Sequence, residues 1–318
     1  MSNKMILDTD PGIDDAMAIF FAMAHPDIEL LGLTTTFGNV SVEQATVNAL
    51  KLVEMAGQTT PVAKGVQTPW MQALRPYPDF VHGEDGFGNL NLPEPALQAV
   101  EQSAAEFIVE QVKQNPGEVT LVAVGPLGNL AAALKLAPEI AQQVKQVIIM
   151  GGAVGCAGNV TPVAEANIIC DPHAADIVFS APWKVTMIGL DVTHQVHMDR
   201  ALFDRIMDKN KRVGAFMKKA ADFYMDFHLD VADIDGCHGH DVSAVACLVE
   251  PELFTSVQGQ LCVATEGVAL GQTIMAPKGH GYRAIDYGER PQVNVAMGVQ
   301  DKALIALFEK HMSSDFWD

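Results

Sequence analysis

Short apolar runs that end in Gly, Pro, Asn or Asp alternate along this chain with longer segments whose apolar residues recur every three or four positions. The runs read as buried strands and the periodic segments as helices, the pattern of a mostly parallel sheet covered by helices. Strands are expected at 4–8, 29–36, 119–124, 146–152 and 184–191, and helices over 14–24, 41–56, 103–114, 128–136, 172–180, 199–208, 212–228 and 241–249. Ser103 with Glu106 makes a capping box, and Asp171 before Pro172 reads as an N-cap with proline at the first helical position. The segment 65–95 carries five prolines and no period, which predicts a long loop. Residues 255–298 alternate apolar and polar and are rich in glycine, which predicts a few antiparallel strands beside the main sheet. No repeat or low-complexity linker divides the chain. All 318 residues therefore read as one α/β domain with a mostly parallel, open, twisted, Rossmann-like sheet.

Composition narrows the partners. A formal charge of −19 argues against nucleic acid and against an anionic membrane surface, because both call for a basic face. The one dense basic run, KNKR at 209–212, reads as a solvated helix end. The longest apolar run, Ala16 to Ala24, is far short of a membrane span, and no stretch before the first carboxylates is long enough for a signal peptide. Five cysteines, odd in number and with no C-x-x-C pair, fit reduced thiols and a cytoplasmic protein.

In open α/β sheets ligands bind beyond the carboxyl ends of the strands, so the residues just after each strand carry the candidate chemistry. After the first strand comes DTDPGIDD, with Asp8, Asp10, Asp14 and Asp15 in eight positions. Two unit charges about 4 Å apart repel by roughly 4 kcal/mol at an effective dielectric near 20. Capping of the following helix explains one or two of these aspartates. Asp10, Asp14 and Asp15 together are better explained by a hard cation with oxygen ligands, Ca²⁺ or Mg²⁺. The register excludes an EF-hand, since Ile13 and Ile19 stand where its glycine and bidentate glutamate belong. DTD resembles the start of the haloacid-dehalogenase phosphatase motif D-x-D-x-[TV], but Gly12 occupies the Thr/Val position and no phosphate-binding loop lies nearby.

Two further groups stand out. His240 and Asp241 open an apolar helix; Asp241 as an N-cap is the simple reading, and a proton donor beside a further metal or hydroxyl contact is the functional one. Zinc at HGH (238–240) or HQVH (194–197) lacks the cysteine partners or H-E-x-x-H pattern that a specific signal needs. Asn159, Glu165 and Asn167 present two amides and a carboxylate within nine positions, suited to sugar hydroxyls. With a metal, an acid and no phosphate site, they point to a neutral polyol such as a ribosyl group.

These residues carry a family resemblance. DTDPGIDDAMAI, TTFGN at 35–39, HGEDG at 82–86, VGPLGN at 124–129, the stretch 150–175 and HDVSAV at 240–245 occur in the same order in the inosine-uridine preferring nucleoside hydrolases, which this chain resembles over most of its length. The resemblance implies Ca²⁺-dependent hydrolysis of the N-glycosidic bond of ribonucleosides to ribose and free base, by a homodimer or homotetramer. It implies that Asp10, Asp15, Asp241 and the backbone carbonyl of Val124 hold the metal. Asp14, Asn39, Met150, Asn159, Glu165, Asn167 and Asp241 correspond to ribose contacts, while His82 and the stretch 223–228 correspond to the base side. Asp10 is then the base that takes a proton from water, and His240 the acid that protonates the leaving base. Ala166 and Val160 replace larger side chains found in similar sequences, which leaves the base preference open. A non-catalytic nucleoside- or sugar-binding protein of the same fold is the alternative.

Overall fold

The structure is a computed structural model that describes residues 2–282, 287 and 289–317. Its strands are β1 (Asn3–Thr9), β2 (Ile28–Thr35), β3 (Val62–Lys64), β4 (Val119–Ala123), β5 (Gln146–Met150), β6 (Val185–Ile188), β7 (His197–Met198), β8 (Cys237–His238), β9 (Phe254–Val263), β10 (Thr273–Pro277) and β11 (Gln292–Val299). Its helices are α1 (Ile13–Ala24), α2 (Val42–Met55), α3 (Asp79–His82), α4 (Ala104–Gln114), α5 (Gly128–Leu136), α6 (Ala166–Cys170), α7 (Pro172–Ser180), α8 (Leu190–Thr193), α9 (Arg200–Lys209), α10 (Val213–Ala232), α11 (His240–Val249) and α12 (Asp301–Met312). One sheet runs β10-β9-β11-β6-β5-β4-β1-β2-β3, and β7 pairs with β8 alone.

The central strands are apolar on both faces because helices cover both. Met5 and Leu7 of β1 join one core, Ile6 the other; Val122 and Leu121 of β4, and Ile148 and Ile149 of β5, divide in the same way. This is the side-chain alternation of a strand buried on two sides. Helix α1 is likewise apolar nearly all round and sits inside the first core, where Phe20 meets Phe216 and Trp317 edge-on and Phe21 meets Phe308. Full burial of each such ring contributes about 2–3 kcal/mol.

Several elements differ from expectation. Strand β11 pairs in parallel with β6 and antiparallel with β9, so the antiparallel strands extend the main sheet rather than lying beside it. Strand β6 stops at Ile188, and Leu190–Thr193 is already helical where a strand was expected to reach 191. The segment 65–95 is not all loop: α3 lies within it, and the Asp85 carboxylate accepts hydrogen bonds from the backbone of Phe87, Asn89 and Asn91. Helix α10 runs to Ala232, one turn past its expected end. Helix α12 lies beyond the last predicted element, although Leu304, Leu307, Phe308 and Met312 are buried at helical spacing.

The sheet also fixes where a ligand can bind. From β1 the chain steps outward through β2 and β3, and from β4 outward in the other direction through β5 and β6. Between β1 and β4 the order reverses. The crevice at their carboxyl ends is the expected ligand position in such a sheet.

Candidate active site

Asp10, Asp14 and Asp15 stand at that reversal point, Asp10 on the short turn after β1 and Asp14 and Asp15 in the first turn of α1. Asp15 is fully buried, and its carboxylate is saturated with donors. Oδ1 accepts from Thr9 Oγ1 (2.5 Å) and the Asp10 amide (3.1 Å), and Oδ2 from the Gly12 amide (3.0 Å) and Asn39 Nδ2 (2.9 Å). By accepting from the amide of Gly12, the N-cap of α1, Asp15 supplies the half of a capping box that a glycine N-cap allows. Asp10 is held by one oxygen only: Oδ2 accepts from the Asn39 amide at 2.7 Å, while Oδ1 is buried without a hydrogen-bond partner. Gly38 and Gly125 close on this carboxylate from two sides; a Cβ at Gly125 would lie 2.5 Å from Oδ1, and one at Gly38 would collide with Oδ2. Asp14 Oδ1 is also buried and unpartnered.

Asp241 enters from α11 and completes the group. Carboxylate atoms of Asp14, Asp15 and Asp241 lie within 4.8 Å of one another, an arrangement that could hold a metal ion. Asp10 is outside that trio but faces the same crevice. Burial first, and mutual repulsion next, push Asp10 and Asp241 well above the usual carboxylate range. Asp14 and Asp15 rise to about 6, mainly through burial. No ion pair among the described residues reaches any of these four groups. Buried carboxylates without counter-charge, two of them with an empty acceptor, fit a hard cation. Asp8 has a different place. Its Oδ1 accepts from Thr34 Oγ1 and Asn129 Nδ2, so it ties β1 to β2 and α5.

The carboxylates floor a cavity of about 840 Å³. Asp10, Asp14, Asn39, His82, Val124, Met150, Asn159, Glu165, Asn167, His240 and Asp241 all line it; Asp15 alone of the expected site residues lies behind the wall. Asn167 Nδ2 donates to the carbonyls of Val124 (2.8 Å) and Met150 (3.1 Å), joining the tips of β4 and β5. Glu165 caps α6, accepting from the amides of Asn167 and Ile168, and accepts from Gly152 as well. Asn159 Oδ1 accepts from the Ala166 amide.

Above the floor the wall is histidine-rich. His240 is buried, with Nδ1 2.8 Å from Thr193 Oγ1, and burial together with the neighbouring imidazoles holds its ring well below the ordinary range. His82 is held neutral by burial, its pKa lowered to about 4, and its Nδ1 accepts from the Ile13 amide at 3.2 Å. Tyr224, Phe227 and His228 of α10 line the same wall, Tyr224 against His82 and His228 against His238. His194 and His238, considered in the sequence only as zinc ligands, contribute rings 4.8 Å apart, but the metal-compatible group among the described residues contains carboxylates alone. Tyr224 belongs to the stretch 223–228 that the resemblance puts on the base side, and it lines the cavity. The packing of α10 against α3 stacks its ring on His82.

Comparison with known proteins gives a consistent picture. Residues 5–306 match the family model for inosine-uridine preferring nucleoside hydrolases. The chain is 44% identical to uridine nucleosidase 1 of Arabidopsis thaliana, over 86% of this chain and 81% of that relative. A solved plant nucleoside hydrolase superposes with a TM-score of 0.95 at 38% identity, covering 99% of this chain and 100% of that one. A purine-preferring ribonucleoside hydrolase from Gardnerella vaginalis superposes with a TM-score of 0.91 at 36% identity, covering 98% of each chain. These similar proteins differ in the base they are named for.

Proposed function

This chain belongs to the inosine-uridine preferring nucleoside hydrolase family and is an N-ribohydrolase, and on that premise we propose a Ca²⁺-dependent hydrolysis of purine or pyrimidine ribonucleosides to ribose and free base. The observation that carries the reading is the buried carboxylate floor with unpartnered oxygens on Asp10 and Asp14, opening into a cavity that His240 also lines. A non-catalytic binding protein gives way to an enzyme because the similar proteins are nucleosidases and hydrolases.

Asp10, Asp15, Asp241 and the Val124 carbonyl would hold the Ca²⁺, with Asp15 giving up one of the four hydrogen bonds it accepts in the cation-free protein. Bound there, a hard cation would neutralise the carboxylates and supply Lewis acidity toward water. Asp10 takes a proton from the attacking water through the oxygen that nothing else engages. Asp14, Asn39, Asn159, Glu165, Asn167 and Asp241 orient the ribosyl hydroxyls, with Met150 acting through its backbone. The carboxylates among them, Asp14, Glu165 and Asp241, favour the oxocarbenium character that develops as the bond to the base breaks. His240 gives a proton to the departing base nitrogen. The acid is the imidazolium form: its Nδ1–H would donate to Thr193 Oγ1, and loss of the Nε2 proton to the base would return the ring to the neutral state that its burial favours. His82 stands on the base side. The net change is one water added across the N-glycosidic bond.

The five cysteines are unpaired, which supports the cytoplasmic placement read from the sequence. No helix among the described residues is long and apolar enough to cross a membrane. A homodimer or homotetramer remains part of the proposal.

The test is a panel of inosine, uridine, cytidine and adenosine assayed for reducing sugar. At least one is expected to yield ribose and free base without added phosphate. Phosphate release from nucleotides with no ribose from any nucleoside would contradict the reading.

A further inference from the structure

The segment between β5 and α6 brings Asn159 to the cavity wall, yet residues 155–157, 159 and 160 are exposed, so their own packing does not fix where that amide stands. The hold comes from elsewhere. At the start of the segment Gly152 turns the chain with φ +84°, and buried Thr273 of β10 takes Ala153 by both backbone groups. Thr273 Oγ1 accepts from the Ala153 amide at 2.9 Å and donates to the Ala153 carbonyl at 2.7 Å. Asp191, in the single turn of α8, then accepts from the next two amides, Oδ2 from Val154 at 2.8 Å and Oδ1 from Gly155 at 2.6 Å. No Lys or Arg among the described residues pairs with this carboxylate, so its charge is directed at the two amides. Such charge-assisted bonds are about twice as strong as neutral ones.

At the far end of the segment Asn159 Oδ1 accepts from the Ala166 amide at 3.0 Å, which leaves its Nδ2 hydrogens to donate toward the cavity. The chain from Ala153 to Asn159 is thus tied at both ends. Two residues beyond Asp191, Thr193 Oγ1 lies 2.8 Å from His240 Nδ1, so the same turn of α8 reaches the ribose side and the acid side of the cavity. Asp191 itself lies outside the cavity lining.

Resting on the nucleoside hydrolase reading, we infer that Asp191 is a positioning residue for ribose binding, which grips the amides of Val154 and Gly155 and so holds the segment in the path that brings Asn159 to the sugar. It acts without touching substrate. An exposed segment that is ordered in advance spares the cost of ordering it when the ligand arrives. The effect of Asp191 therefore falls on affinity for the nucleoside, and the bond-breaking step is left to the groups that meet the reacting atoms.

The test measures kcat and KM for the best nucleoside of the panel in the wild type, Asp191→Ala, Asp191→Asn, Asn159→Ala and the two double variants that combine Asn159→Ala with each change at Asp191. Asp191→Ala is expected to raise KM by about 10-fold and to leave kcat within about threefold. Asp191→Asn keeps an acceptor for one of the two amides, and its KM should fall between those of the wild type and Asp191→Ala. Because Asp191 acts through Asn159, each double variant should be no worse than Asn159→Ala alone, within about twofold. The Asp191→Asn pair reads the same coupling if Asp191→Ala fails to fold. An unchanged KM in both Asp191 variants, a fall in kcat at constant KM, or losses that multiply in the double variants overturns the positioning role alone. Absence of ribose from every nucleoside, in the wild type, overturns the nucleoside hydrolase reading itself.

Discussion

Asp10→Ala is expected to lower nucleoside turnover by at least about 10⁴-fold and to weaken Ca²⁺ binding in the same protein. Two functions meet in one carboxylate. Its Oδ2 is fixed by the Asn39 amide, and its Oδ1 is a buried acceptor without a hydrogen-bond partner among the described residues. Removing it takes away both the proton acceptor and a ligand of the proposed cation. Stability should move the other way. The carboxylates of Asp14 and Asp15 have folded-state pKa values raised to about 6, above those of the unfolded chain. The folded state therefore binds more protons between about pH 4 and 6, and the cation-free protein loses stability as pH rises through that window. Asp10→Ala removes one of the repelling neighbours and should soften that loss. Calorimetric Ca²⁺ titration, steady-state assays and melting curves at pH 5 and 7 read all three effects. Undiminished affinity with full turnover would refute the assignment.

His240→Ala is expected to cost about 10²- to 10⁴-fold in turnover of inosine, the usual contribution of a positioned acid. The loss should depend on the leaving group. A base such as hypoxanthine needs a proton to leave, whereas the anion of p-nitrophenol does not. A p-nitrophenyl riboside should thus be hydrolysed by His240→Ala at nearly the wild-type rate. An equal loss on both substrates would mean that His240 shapes the pocket rather than supplying a proton. Unchanged turnover of inosine would remove it from the mechanism.

What the chain discloses in one dimension follows from which forces act locally. The central strands are legible because burial on both faces demands unbroken apolar runs, as in Met5–Leu7 and Val147–Ile149. The capping of α4 by Ser103 and Glu106, and of α7 by Asp171, is legible because each bond spans three residues. Parallel pairing of β11 with β6 is not, since more than a hundred residues separate the partners and alternation alone does not choose a neighbour. The same limit applies at the site. DTDPGIDD marks the carboxylates, but the difference between Asp15, saturated by local donors and set behind the wall, and Asp10, open to the cavity, arises from Asn39, Gly38 and Gly125. Likewise the proton position on His82 depends on the backbone amide that meets its ring, 69 residues away. Side-chain chemistry is written in the sequence; its polarity toward a ligand is set by the fold.

The central claim is that the buried carboxylates hold a cation without which the N-glycosidic bond is not cleaved. Protein stripped by a chelator and dialysed free of it can be titrated with Ca²⁺ while ribose release from the best nucleoside of the panel is recorded. The account predicts negligible turnover in the stripped protein and full recovery at about one equivalent of Ca²⁺ per chain, with the heat of binding saturating at the same point. Full turnover in the stripped protein, with no heat on adding Ca²⁺, would contradict it.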